Sequence, residues 1–161
     1  MTNRSVPKDM PITAALDEFL NSKEWDDSIE INEDKKTSIV DTEITIDGVK
    51  YRMIFEATEI NQWMEFYLYF PIPIPGARIN EAYKLINAIN ARIGVGRLVV
   101  TGKSTIQYKA IVDLEGSQAT GNMYMAMLGA GTSMASNWGS IIGKFIYTNL
   151  STDELLEEME E

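Results

Sequence analysis

VDTEITIDGVKYRMIFEATEINQWMEFYLYF, residues 40–70, decides the fold. Its first third alternates Val40, Thr42, Ile44 and Ile46 with Asp41, Glu43 and Thr45, the two-residue period of a strand that buries one face. Asp47-Gly48 comes next. A tight hairpin turn needs positive φ at both central residues, which Gly adopts freely and Asp tolerates, so the chain is expected to turn back on itself here. The return strand reads Tyr51, Met53, Phe55, Ala57. After a turn at Glu59-Ile60-Asn61, a third strand sets Met64, Phe66, Leu68 and Phe70 on one face and Trp63, Tyr67 and Tyr69 on the other. Being apolar on both faces, it belongs in the middle of a sheet or under a cover on its second side.

Upstream, Ile12, Leu16, Phe19 and Leu20 recur at helical spacing and predict a helix over 11–24, after a flexible polar leader at 1–10. Residues 26–36 carry Asp26, Asp27, Glu30, Glu33 and Asp34 with few apolar anchors and are expected to form an exposed acidic connector. They lack the glycine turn and ligand spacing of a calcium loop, so no metal is expected. Downstream, Pro71, Pro73 and Pro75 have no N–H to give a sheet, and 71–76 is expected to be an extended, packed crossover rather than a polyproline ligand. Asn80 is the expected cap of a helix over 81–93, with Ala82, Leu85, Ile86, Ile89 and Ile93 as its apolar stripe and Gly94 as its stop. Two more strands, 97–101 and 105–114, join through Gly102-Lys103 and turn Leu98, Val100, Ile106, Tyr108, Ala110 and Val112 inward.

Residues 116–143 contain no charge, enough chain to span a bilayer. On a helical wheel, however, Met123, Met127, Met134, Trp138, Ile141 and Phe145 share one face, and Asn122, Ser133, Ser136, Ser140 and Lys144 take the opposite one. Lipid does not favour such a polar face, so no membrane is expected. Gly131, Ala135, Gly139 and Gly143 recur every four residues beside the bulky stripe and form a notch that another backbone can approach closely. Two readings of the notch stand: a helix–helix interface between subunits, or close packing on the chain's own sheet. Under the first, the protein-interaction residues are Met127, Gly131, Met134, Ala135, Trp138, Gly139 and Gly143. Gly129-Ala130-Gly131 leaves open whether the helix is continuous or broken there. Ser151, with Glu154 three residues on, marks a capping box that starts a last short helix.

The inventory removes whole classes of chemistry. With no Cys and no His, disulfides, thiolate nucleophiles, imidazole bases and the usual zinc sets are excluded, and a reducing cytoplasm is the expected location. Twenty-four acidic against fourteen basic residues give a net charge of -10, which repels nucleic acid and anionic membranes. Gly102-Lys103-Ser104 has the letters of a phosphate-loop ending, but it joins two strands, and no glycine stands at the spacing that motif requires. Glu56, Glu65, Asp113 and Glu115 are read as solvated strand carboxylates, and Ser133, Ser136 and Ser140 have no base. No catalytic residue and no cofactor is expected.

Four segments carry a further signal: the prolines at 71–75, Leu85-Ile86-Asn87-Ala88-Ile89-Asn90, Gly96-Arg97-Leu98-Val99-Val100, and Tyr108 through Gly116. In the order helix, three strands, helix, two strands, helix (αβββαββα), they make the chain similar to the YbjN family of sensory transduction regulators over residues 11–158. The resemblance implies an α+β, type III secretion chaperone-like fold with an antiparallel sheet, often dimeric, and a regulatory or protein-binding role with no catalytic residues. Asn87 and Asn90 match that family's paired asparagines and are read as bonding neighbouring loop backbone. The function expected for the single domain at 11–161 is a non-enzymatic, chaperone-like or regulatory protein-interaction module acting as a homodimer. The alternative is a small-ligand sensor or weak enzyme with a pocket between the aromatic face, Trp63, Tyr67 and Tyr69, and a helix.

Overall fold

The computed structural model describes residues 4–159. The Asp47-Gly48 turn forms as its letters require, with φ of +49° and +80°, and it joins β2 (Thr37–Ile46) to β3 (Val49–Thr58) in register from Ile46↔Val49 to Thr37↔Thr58. β4 (Trp63–Pro73) pairs antiparallel with β3 and, on its other side, with β6 (Thr105–Asp113), which in turn pairs with β5 (Arg97–Val100). The doubly apolar third strand is therefore central, the first of the two placements its composition allows.

Two expectations about the sheet are corrected. The acidic connector contains a strand, β1 (Glu30–Asn32), which places Ile31 opposite Ser38 of β2 and completes a six-stranded antiparallel sheet in the order β1-β2-β3-β4-β6-β5. Three residues with one apolar side chain are too short to show a period. The proline segment, expected to leave the sheet, stays in it as far as Pro73, which pairs with Thr105 beyond a β-bulge that starts at Tyr69. Pairing of β4 with β3 ends at Arg52↔Tyr69, so the prolines sit where β4 has a neighbour on one side only and a missing N–H costs least.

α1 (Pro11–Ser22), α2 (Ile79–Asn90), α3 (Gly121–Tyr147) and α4 (Thr152–Glu158) complete the α+β fold. The helices pack against the sheet face that carries Met53, Phe55, Phe66, Leu68 and Tyr108, all fully buried. Aromatic rings run through this core, Phe19 to Phe55 at 5.0 Å between centroids and Phe55 to Phe66 at 4.8 Å. α3 is unbroken across Gly129–Gly131. Its wheel is as the spacing predicts: Met127, Met134 and Phe145 are buried, and Asn122, Ser133, Ser136, Ser140 and Lys144 are exposed.

The helix ends depend on distant residues. α2 starts two residues earlier than expected, after a 3-10 turn at Gly76–Arg78, and Arg78 rather than Asn80 occupies the cap position, with no side-chain cap. The extended backbone ending at Pro75 feeds straight into that turn, so the helix is under way before Asn80. α1 also has no cap of its own; Glu59, in the β3–β4 turn, accepts the N–H groups of Ile12 at 3.1 Å and Thr13 at 2.8 Å, and the Thr13 hydroxyl at 2.9 Å. Glu18 of α1 accepts the Gly121 N–H at 3.1 Å and does the same for α3. At the other end of α3, the Arg78 guanidinium donates to the carbonyls of Phe145, Thr148 and Leu150 and lies 4.0 Å from the Phe145 ring centroid. α4 alone carries the capping box its sequence announces, Ser151 with Glu154.

Of the leader expected at 1–10, residues 1–3 lie outside the described residues. Arg4, its side chain 7% exposed, donates to Asp17 at 2.9 Å and to the Asp27 carbonyl at 2.8 Å, and Met10 is fully buried.

Candidate functional site

The notch of α3 meets two different surroundings. At Gly131, an added Cβ would overlap an edge carbon of the Phe66 ring and lie 3.2 Å from the ring of Tyr108, so the chain's own sheet fills this part of the notch. Met127, Met134 and Ala135 lie beside it, each 3% exposed. For these four residues the close-packing reading of the notch describes the single chain. Toward the C-terminus the fit loosens. Gly139 faces the Tyr51 hydroxyl, 3.0 Å from where its Cβ would be, and nothing lies within 4 Å of a Cβ at Gly143. Trp138, Gly139 and Gly143 are half-buried. Around the two glycines, Val49, Tyr51, Phe70, Pro71, Ile72, Ile146 and Tyr147 line a groove of about 60 Å³, with Val49 40% and Tyr147 69% exposed. Of the seven predicted residues, three therefore remain reachable from outside.

The sheet face turned away from the helices carries Trp63, Tyr67 and Tyr69, so the pocket expected between this aromatic face and a helix does not form. The helices all went to the side with the larger continuous apolar area. Here the register puts Glu56 directly opposite Glu65 and Ile54 opposite Tyr67. Glu65 was read as solvated but is 7% exposed. Its carboxylate accepts the Tyr67 hydroxyl at 2.6 Å and the Thr58 hydroxyl at 3.2 Å. Burial, then the neighbouring Glu65 charge, raises the Glu56 carboxyl above its usual range, while Lys109 opposes them. Burial and the bond to Glu65 likewise raise the Tyr67 hydroxyl well above an ordinary tyrosine. Both Glu65 oxygens are engaged by neighbours, which makes this carboxylate pair part of the sheet's own polar network.

At the opposite end of the same face, where the β2–β3 and β5–β6 hairpins and the bulge of β4 come together, lies a cleft of about 750 Å³. Lys50, Arg52 and Lys103 line it with Tyr69, Thr101, Thr105, Gln107 and one carboxylate, Glu43. Its residues come from four strands, and the local sequence showed only the Gly102-Lys103 turn.

No protein-family model matches the chain, and no curated protein matches it in sequence. Two solved structures share its architecture. A chain of the HopA1–SchA chaperone–effector complex superposes with a TM-score of 0.50 at 15% identity, over 81% of this chain and 95% of that one. YbjN from E. coli, described as a candidate transcription regulator, superposes with a TM-score of 0.52 at 8% identity, over 86% and 95%. The fold is type III secretion chaperone-like. In this YbjN-like arrangement the two asparagines part company. Asn90 accepts the Leu98 N–H at 2.7 Å and donates to the Leu98 carbonyl at 3.0 Å, pinning α2 to the edge strand β5, whereas Asn87 is exposed. Among the described residues, no helix is long and apolar enough to cross a membrane, and no three His, Cys, Asp or Glu side chains converge as a metal set would.

Proposed function

We propose that residues 11–161 act as one non-enzymatic protein-interaction module, chaperone-like or regulatory, that pairs with a second copy of itself through the C-terminal third of α3 in a reducing cytoplasm. The observation that carries the pairing is the unfilled half of the notch. Gly143 leaves a helix edge with nothing within 4 Å of where its Cβ would be, Gly139 lies next to it against the Tyr51 hydroxyl, and Val49, Ile72, Ile146 and Tyr147 surround that edge with apolar surface. A small-residue edge of this kind lets two backbones approach closely, and a two-fold pairing would set each notch against its counterpart. Support for a polypeptide partner comes from the fold it shares with a chain of a chaperone–effector complex.

Native mass spectrometry at micromolar concentration tests the pairing. The wild-type chain should be a dimer. Gly143→Leu, at a position where an added Cβ meets nothing within 4 Å inside the single chain, should be a folded monomer. A dimer that survives Gly143→Leu moves the interface off α3, and a monomeric wild-type chain removes the homodimer.

A further inference from the structure

We infer that the basic cleft at the hairpin end of the open sheet face binds a small organic oxyanion, a carboxylate or phosphate ester whose body can also hydrogen-bond an amide. The observation that sets it apart from surface charge is Gln107. This residue is 9% exposed, it lines the cleft, and its side-chain amide has no hydrogen-bond partner among the described residues. Yet no fully buried side-chain nitrogen or oxygen is without a partner among those residues. The amide oxygen and nitrogen of Gln107 therefore each keep solvent-accessible surface, on a residue that lines the cleft. A glutamine held under a sheet face by its stem, with its polar end offered to a cavity, is an arrangement a ligand can use and packing alone does not need.

The charges point to the sign of that ligand. In a chain of net charge -10, three cations and one carboxylate line this cleft. Lys50 is paired with Glu43, and Arg52 with Asp41 at 2.9 Å, but Lys103 at the tip of the β5–β6 turn has no ion-pair partner among the described residues. The backbone N–H groups of Gly102 and Lys103 at the same tip are also unbonded, whereas Ser104 and Thr105 bond back to Thr101. Tyr69 lies between Arg52 and Gln107 across the sheet, with the Arg52 guanidinium 5.6 Å from its ring centroid. An oxyanion at Lys103 and the turn, a planar body along Tyr69, and a donor or acceptor at Gln107 use every unpartnered group of the lining. The volume suits a metabolite rather than a folded chain.

The inference stands apart from the pairing of α3. Amide NMR of the full chain tests it, titrating citrate in one arm and adenosine monophosphate in the other and following the Gln107 side-chain amide with the Gly102 and Lys103 N–H signals. Saturable shifts at these three positions are expected with at least one probe. Saturation by citrate only identifies a polycarboxylate ligand, and saturation by the nucleotide only identifies a phosphate ester. Lys103→Ala and Gln107→Leu should each weaken binding about tenfold, the usual loss when one charged or one buried hydrogen bond is removed. Lys35→Ala, in the β1–β2 turn, should leave affinity unchanged. Gln107→Leu should also melt at or above the wild-type temperature, since it removes an amide that folding leaves unpaired. The inference is overturned if neither probe saturates the Gln107 signal, or if both cleft variants bind as the wild type does.

Discussion

A glycine in α3 has a different role at each position, and the difference is measurable. Gly131 is held without a Cβ by the Phe66 and Tyr108 rings, whereas Gly129, two residues earlier in the helix, meets nothing within 4 Å. Gly131→Ala should cost about 2 kcal/mol, overpacking outweighing the helical gain, while Gly129→Ala should stabilise by about 1 kcal/mol. Urea melts of the two variants give both signs, and equal effects would show that the rings yield. Glu56 provides the second residue-scale test. Its carboxyl sits above the ordinary 4.5 because burial, and then Glu65, disfavour its charge in the folded state. Ionised Glu56 therefore subtracts stability at neutral pH, and the loss is recovered as pH falls through the folded value toward the unfolded one. Glu56→Gln should melt higher than the wild type at neutral pH and converge with it near about pH 4. A lower melting temperature at neutral pH would mean that Lys109 dominates the site.

At the scale of the element, most strands declared themselves and most helix starts did not. Asp47-Gly48 specifies its own hairpin because turn type depends on the two residues inside it. α4 specifies its own start for the same reason, Ser151 and Glu154 being three residues apart. α1 is different. The group that satisfies its first N–H donors is Glu59, more than forty residues away and brought there by the β3–β4 turn, whose Glu59 N–H bonds the Lys36 carbonyl. Glu59→Ala should destabilise the chain by about 2 kcal/mol, near the upper range for a lost cap, and thermal melts would show it. An unchanged melting temperature would mean that water caps α1 equally well. β1 and the continuation of β4 through Pro73 were unreadable for a related reason: each depends on what a neighbouring strand already provides.

Across the whole molecule, one side of the sheet is covered and the other is open, and both proposed surfaces follow from that asymmetry. The core face takes the four helices because its cross-strand neighbours, Met53 with Leu68 and Phe55 with Phe66, are uniformly apolar. The open face mixes Trp63 and Ile111 with Glu56, Lys109 and Arg52, so it remains in contact with water and is free to form a cleft where the hairpins and the bulge leave room. Four of the seven predicted interaction residues, Met127, Gly131, Met134 and Ala135, are buried on the covered side. A helical wheel shows which residues share a stripe, but a sheet and a second subunit present the same apolar demand to it, and only the position of Phe66 under Gly131 and the empty space at Gly143 divide the notch between them.

The sequence by itself determined the antiparallel hairpins, the amphipathic course of α3 and the exclusion of thiol and imidazole chemistry, because each rests on residue inventory, turn residues or a period of two or 3.6 residues. The tertiary structure decided which face the helices cover, which carboxylates cap them, where the notch stays open and how Gln107 and Lys103 come to share a cleft. These depend on residues far apart in the chain, and no local period carries the distance between them.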